Sequence, residues 1–352
     1  TITGLGYAFE ADNFFKKCVN RLSIGLYHCA LAGAEGVFFQ NRDDAELFRK
    51  VGILRRSARV LMARGTGVDI RRFAEAPLPP LPAEGCAPEE REIIFLLVGR
   101  LLEAKGLPEY AAAAKELKTQ YPAARFQLLG PPEQGLGSVD LAQVRRWQDE
   151  GSIEYLGETR DVRPYVEACH ALVLPSWREG TPTSIMEGMS MGRAAVVTDV
   201  PGCREVVEDG VNGCICAAHD PRALAAAMRR LLDEPGLLVR MGAAGRDLAC
   251  REFDAEVVAE KILVDMRVPQ PCGPVAARSC PGPAGTTVSR GHRDSPPAAG
   301  GPRACPVHCT KKWRNYDQPL PHGIDAGGGP VLHPAGPGRF GHGDHRARPE
   351  RL

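Results

Sequence analysis

The chain has 352 residues, of which 43% are hydrophobic and 25% are charged, and its formal net charge is +1. This length accommodates two domains of ordinary size. The near-neutral charge gives no reason to expect nucleic acid as a partner, and no apolar run approaches the roughly 18–20 residues needed to cross a bilayer. The chain opens at Thr1 without the basic and apolar regions of a secretion signal. No Cys-x-x-Cys pair occurs among its twelve cysteines, which favours a reducing, cytoplasmic location.

Composition changes along the chain and predicts five segments. The first, the N-terminal segment (1–73), mixes helical apolar patterning with loops, and the second (74–90) is rich in Pro and Ala as in a linker. The third segment (91–252) alternates short apolar runs with amphipathic stretches. A predicted crossover helix (253–267) and a low-complexity tail (268–352) follow.

The third segment is patterned like a parallel sheet covered by helices on both faces. Its apolar runs are about five residues long, and most lead into a stretch with helical periodicity, which predicts an α/β fold. Such sheets bind ligands at the carboxyl ends of their strands. The predicted strands are Ile93–Val98, Phe126–Leu129, Ile153–Leu156, Ala171–Leu174 and Ala194–Thr198.

The tail after Arg267 has a different composition from the rest. It holds 15 of the 30 prolines and six of the nine histidines, and its low content of branched apolar residues and phenylalanine predicts disorder. Either it is a natural flexible tail, or it is an out-of-frame translation of a GC-rich gene, which its Gly, Pro, Arg, Ala and His content favours. Cys305, His308 and Cys309 match no standard zinc spacing, so no metal site is predicted there.

The first candidate site follows the predicted strand that ends at Val98. Gly99 lets the chain turn, Arg100 and Lys105 are cations five residues apart, and a helix is predicted to begin near Pro108. At the carboxyl end of a strand, Arg100 can fork onto phosphate oxygens while Lys105 supplies a point charge. The alternative is that both are solvated surface cations.

The second candidate site is a loop that leads from Ala171–Leu174 into a helix predicted to start near Ser184. The loop amides and the helix N-terminus suit a diphosphate, and Glu179 and Glu187 bracket them, placed to contact hydroxyl groups. Alternatively, Ser184 and Glu187 form a capping box and Glu179 is a solvated loop charge. The residues expected to bind the donor are Gly99, Gly180, Thr181, Pro182, Thr183, Ser184 and Glu187.

The spacing of these motifs resembles the retaining, metal-independent family-four glycosyltransferases of the GT-B fold, which has two Rossmann-like domains. Glu179 and Glu187 match the Glu-x7-Glu element of that family, and Gly99-Arg100-Leu101 with Lys105-Gly106 match its Gly-Arg-Leu…Lys-Gly element. The resemblance implies that Arg100 and Lys105 bind the donor diphosphate, that Glu187 holds the ribose and that Glu179 contacts the donor sugar. We therefore expect Glu179, Arg100 and Lys105 to be catalytic, with no cofactor and no metal.

A narrower resemblance is to bacterial transferases that act on undecaprenyl-diphosphate-linked sugars, among them N-acetylgalactosaminyltransferases. Thr3–Gly6 and Phe38–Asn41 carry part of it. It implies a UDP-sugar donor, transfer of a hexose or N-acetylhexosamine with retention, and a lipid-linked glycan acceptor near an acceptor-side loop that contains Gly4 and Gly6. Basic residues between 49 and 72 either form a solvated face or suit peripheral contact with the inner face of the cytoplasmic membrane, and a lipid-linked acceptor would favour the membrane contact.

One departure from the family lies in residues 1–73, which match only the last portion of its first domain. We therefore expect a GT-B fold whose first Rossmann-like domain is incomplete. The alternative function is that of a non-catalytic nucleotide-sugar-binding fragment of such an enzyme.

Overall fold

A computed structural model of the chain describes residues 1–2, 14–55, 57–83 and 85–267. Gly4, Gly6, the cluster at 305–309 and the tail 268–352 lie outside the described residues, and the predictions made for them stay predictions. Within the described residues, no helix combines the length and the apolar character that crossing a bilayer requires.

The N-terminal segment contains a small parallel sheet of two strands that are joined through a helix. Its core packs Phe39 edge-on against Phe48, with ring centroids 5.2 Å apart. The side chain of Asn41 caps the N-terminus of the helix between the two strands. The first turn of this helix contains Asp43 and Asp44, negative charges that the helix dipole favours there. The elements are α1 (Phe14–Leu31), β1 (Gly36–Phe39), α2 (Arg42–Lys50) and β2 (Arg59–Met62).

The third segment forms a six-stranded parallel sheet. The five predicted strands are confirmed to within one residue at either end, and a sixth strand follows them. The elements are β3 (Ile94–Val98), α3 (Leu107–Lys118), β4 (Arg125–Leu129), α4 (Leu141–Asp149), β5 (Glu154–Tyr155), α5 (Arg163–Ala168), β6 (Ala171–Leu174), α6 (Thr183–Ser190), β7 (Ala194–Thr198), β8 (Gly213–Cys216), α7 (Pro221–Asp233) and α8 (Gly236–Leu248). The strands lie in the order β5-β4-β3-β6-β7-β8.

Both faces of this sheet are buried at its inner strands β3, β6 and β7, which is why these strands are almost continuous apolar runs. Successive side chains of β3 point to opposite faces. Phe95 and Leu97 pack into the core shared with α3 and α7, whereas Leu96 joins the core that contains Met186 and Met189 of α6. The strand order reverses between β3 and β6, and a crevice for ligands forms at the carboxyl ends of strands at such a switch point.

The predicted linker lies against the third segment and is fixed there by a buried arginine. Arg193 is 1% exposed, and its guanidinium donates five hydrogen bonds of 2.9 Å, which uses all its donors. The acceptors are the carbonyls of Ala76, Pro77, Val166, Glu167 and Met191. The linker therefore has a fixed path at residues 76–77.

The segment after α8 contacts the N-terminal segment. A π-helical turn (Ala249–Phe253) leads into α9 (Ala255–Asp265). The amide of Val68 donates to the carbonyl of Phe253 over 2.7 Å, and the amide of Ala255 donates to the carbonyl of Val68 over 3.0 Å. Gly67 has a φ of +73° and passes so close that a Cβ there would lie 2.6 Å from the Cα of Ala255.

Candidate active site

Two loops meet at the switch point of the sheet. The Lys105 loop (residues 99–106) follows β3, and the Glu179 loop (residues 175–182) follows β6. Gly106 has a φ of +71°, and a Cβ on it would lie 2.1 Å from the carbonyl oxygen of Pro175. The amide of Trp177 donates to the carbonyl of Ala104 over 2.9 Å. Glycine at position 106 thus allows the two loops to pack against each other.

A lysine and a glutamate from the two loops form the centre of the site. The Nζ atom of Lys105 lies 2.6 Å from Oε1 of Glu179, and these side chains are 25% and 11% exposed. The hydroxyl of Ser176 donates to the same oxygen over 2.6 Å. The interpretation of Lys105 and Glu179 as solvated surface charges is therefore wrong, since both are largely buried and paired.

Helix α6 points its N-terminus into the same region. It begins at Thr183, and its N-cap residue, Pro182, makes no side-chain capping bond. The first-turn amides are consequently not satisfied by a capping side chain and can donate to an anion. Next to them, the hydroxyl of Thr181 is buried and has no hydrogen-bond partner among the described residues. Both features suit a polar ligand.

Glu187 lies in the second turn of α6. The capping box that could have explained it is absent, because the helix starts at Thr183 and Ser184 is already inside the first turn. Burial raises the pKa of the Glu187 carboxyl to about 7, and the positive charge of Arg72 opposes this shift only in part. No hydrogen bond from another described residue contributes to that pKa. The carboxyl is thus half-buried, and no hydrogen bond from a described residue offsets its desolvation.

Arg100 is the expected residue that the structure does not bring to this centre. Its side chain is 60% exposed, and Nη1 lies 2.8 Å from Oε2 of Glu133. Arg100 and Gly99 line a cleft of about 230 Å³ at the carboxyl ends of β3 and β4, together with Gly130 and Thr159. The interpretation as a solvated cation fits this side chain as observed, and its role at a diphosphate remains a prediction.

Two anchors of the Glu179 loop were not predicted from the sequence. The indole nitrogen of Trp177 donates to Oε1 of Glu109 over 3.0 Å, and the guanidinium of Arg178 pairs with the carboxylate of Asp44. Their position directly before Glu179 in the sequence could have indicated that Trp177 and Arg178 help to hold the loop. Their partners lie 68 and 134 positions away, which the sequence pattern does not indicate.

Residues 92–234 match the family model described as glycosyl transferases group 1. This segment therefore resembles group 1 glycosyl transferases, as its motifs predicted. Retention of the anomeric configuration stays a prediction.

The relatives of this domain include enzymes of known name. The chain is 26% identical over 271 residues to the N,N'-diacetylbacillosaminyl-diphospho-undecaprenol alpha-1,3-N-acetylgalactosaminyltransferase of Campylobacter jejuni, with 74% of the chain and 68% of that protein covered. It is 28% identical over 225 residues to the glycogen synthase of Mycobacterium tuberculosis, with 61% of the chain and 52% of that protein covered. The chain thus spans about half to two thirds of the length of these relatives.

Solved structures confirm the fold. Anabaena Alr3699/HepE in complex with UDP and glucose aligns with a TM-score of 0.59 at 17% identity, covering 74% of this chain and 69% of that one. The sucrose-phosphate synthase of Thermosynechococcus elongatus aligns with a TM-score of 0.59 at 20% identity, covering 70% and 61%. The described residues therefore have the GT-B glycosyltransferase fold that the motifs predicted.

Proposed function

We propose that the chain transfers a hexose or N-acetylhexosamine from a UDP-sugar to a glycan acceptor, with the anomeric configuration retained. The observation that carries this proposal is the contact between Lys105 and Glu179 at the switch point of the sheet, beside the uncapped N-terminus of α6. The solved Alr3699/HepE structure, which has the same fold, contains UDP and glucose, and this supports a nucleotide-sugar donor.

The chemistry needs stabilisation of a leaving diphosphate. Lys105 and the first-turn amides of α6 supply positive charge and donors that are in place before reaction, which is the most effective form of electrostatic stabilisation. Gly180, Thr181, Pro182, Thr183 and Ser184 form the backbone around this anion. Arg100 would reach the diphosphate by releasing the Glu133 carboxylate. Its guanidinium would then donate two parallel hydrogen bonds to phosphate oxygens.

The two glutamates would hold hydroxyl groups of the donor. Glu179 contacts the transferred sugar, and Lys105 and Ser176 fix the orientation of its carboxylate. Glu187 accepts hydrogen bonds from the ribose, which would supply the partners its buried carboxyl lacks. In the transfer step the bond between the anomeric carbon and the phosphate oxygen breaks, and a bond to the acceptor oxygen forms on the same face. The acceptor proton passes to the departing phosphate.

The acceptor we propose is a glycan linked to undecaprenyl diphosphate, met at the inner face of the cytoplasmic membrane. The name of the Campylobacter jejuni relative supports this acceptor. The predicted basic stretch is only partly available for lipid, because Arg64 and Arg71 pair with Glu252 and Glu256. The described cations of this stretch that are exposed are Arg49, Lys50, Arg55, Arg59, Arg71 and Arg72.

Incubation with UDP-glucose, UDP-N-acetylglucosamine and UDP-N-acetylgalactosamine, with and without a lipid-diphosphate-linked sugar, tests this function. We expect UDP release from one donor that the acceptor accelerates, and NMR of the product should show the anomeric configuration of the donor. Binding of UDP without release from any donor would instead support the non-catalytic binding fragment. Inversion at the anomeric carbon would refute retention while leaving the transfer intact.

A further inference from the structure

The Glu179 loop is held by the N-terminal segment through an ion pair at Arg178. Arg178 directly precedes Glu179, and its guanidinium donates to Oδ1 of Asp44 in the first turn of α2. The Asp44 side chain is 1% exposed, whereas that of Arg178 is 31% exposed. The carboxylate is thus the buried partner, and the arginine reaches inward to it.

The second oxygen of this carboxylate is fixed as well. Nδ2 of Asn41 donates to Oδ2 of Asp44 over 3.0 Å, and Oδ1 of Asn41 accepts from the amide of Asp44 over 2.8 Å. Nδ2 of Asn41 also lies 3.5 Å from the carbonyl oxygen of Glu179. Since Asn41 is itself fully buried, both oxygens of the Asp44 carboxylate are held, one by Asn41 and the other by Arg178 in the loop that carries Glu179.

Helix stability does not explain a buried carboxylate here. Asn41 already caps α2, and Asp43 already places a negative charge in its first turn. Asp43 is half-buried and forms a longer contact, 3.5 Å, with Arg204. Burying Asp44 costs desolvation that an ion pair offsets only in part, so the pair is weak evidence of a role in stability.

The ion pair of Arg178 affects the position of Glu179 because the two residues are adjacent in the chain. Arg178 is bound to Asp44, and the next residue, Glu179, must reach Lys105 in the loop that follows β3. If Arg178 is released, two hydrogen bonds from described residues still hold the backbone at 178–179. They are the contact from Asn41 to the carbonyl of Glu179 and the bond from the amide of Glu179 to the carbonyl of Pro201. The Glu179 carboxylate would then sample positions away from Lys105.

We propose that Asp44 is a positioning residue for the transfer reaction: by holding Arg178, it keeps the carboxylate of Glu179 in place against Lys105. This inference rests on the proposed function. It gives the N-terminal segment a part in the donor site, whose proposed binding residues all come from positions 99–187. It also makes the active geometry depend on the packing of α2 against the Glu179 loop.

The test compares Asp44→Asn with Asp43→Asn, a matched change one residue earlier in the same helical turn. Turnover of the preferred UDP-sugar, UDP affinity by calorimetry and the melting temperature are measured for both. We expect Asp44→Asn to lower kcat by about tenfold to a hundredfold, the cost typical of a misplaced reacting group, with UDP affinity within about twofold of wild type. Asp43→Asn should leave all three unchanged.

A second variant covers the case in which Asp44→Asn does not fold. Arg178→Met removes the same contact from its more exposed side and should lower kcat to a similar extent. Where both single variants fold, the double variant should lose no more than either single change, because all three break one contact. Additive losses, or a kcat within twofold of wild type in a folded single variant, would overturn the positioning role alone. Absence of turnover in the wild-type chain would overturn the proposed function and this role with it.

Discussion

The pKa of Glu187 makes the affinity for donor depend on pH. The ionised carboxylate accepts stronger hydrogen bonds than the neutral acid and carries no proton on either oxygen, so it is the form that suits two ribose hydroxyls. With a pKa of about 7 in the free protein, the carboxylate is about nine-tenths ionised at pH 8 and about one-tenth ionised at pH 6. Binding that requires the ionised form therefore weakens by about tenfold, or about 1.4 kcal/mol, from pH 8 to pH 6.

Calorimetric titration with UDP-glucose measures this effect. UDP-glucose is preferred to UDP because its diphosphate, esterified at both ends, does not titrate in this range. Glu187→Gln cannot ionise, so its affinity should stay constant between pH 6 and pH 8, and proton release on binding near pH 7 should disappear. Equal pH dependence in wild type and Glu187→Gln would refute the assignment of this carboxyl to the ribose.

The same carboxyl affects the stability of the free protein. Its folded pKa lies above its usual value of about 4.5, so the unfolded chain loses this proton first as the pH rises. The free energy of unfolding should therefore fall between about pH 4.5 and pH 7 and then level off. In Glu187→Gln this part of the pH dependence should be missing from urea unfolding curves, and its persistence would contradict the burial argument.

Three further changes test other parts of the structure. Glu179→Gln keeps the size of the side chain but removes the charge that meets Lys105, and should lower kcat by about a hundredfold in the UDP-release assay; a rate near wild type would exclude a catalytic role. Gly106→Ala places a methyl group 2.1 Å from the carbonyl oxygen of Pro175, at a residue whose φ is positive. It should therefore abolish UDP binding and lower the melting temperature. The control Gly25→Ala adds a methyl group that meets no atom within 4 Å, and it should change neither quantity. Arg193→Met leaves five carbonyls without their donor and should cost about 3 kcal/mol or more in urea unfolding; the exposed control Arg240→Met should change stability by less than about 0.5 kcal/mol.

The sheet of the third segment was predictable because its strands are buried on both faces. The run Ala194–Thr198 is apolar up to its last residue and is followed by a turn, and the structure reproduces it with the same bounds. The strands β1 and β2 were not predicted. They are four residues each, and β2 is only partly buried, so their pattern does not stand out from the helical patterning around them.

The candidate site was predictable as far as its residues belong to local motifs. The motifs placed Lys105 and Glu179 at the ends of two strands, and the parallel sheet then brings them together although 74 positions separate them. The orientation of the Arg100 side chain was not predictable in this way. It pairs with Glu133, and the motif does not indicate which carboxylate lies next to the arginine in the folded chain. The pair of Asp44 and Arg178 depends on how α2 packs, which no local pattern encodes.

The most direct test of the account is the affinity for UDP of the wild-type chain, Lys105→Ala and Lys115→Ala. Lys115 is an exposed lysine paired with Glu150 on the outer surface of α3, so it matches the charge change without touching the site. We predict that UDP binds the wild type and Lys115→Ala equally and that Lys105→Ala binds at least tenfold more weakly, because a charged contact to phosphate is lost. Equal affinity of all three proteins, or no UDP binding by the wild type, would contradict the assignment of the donor site.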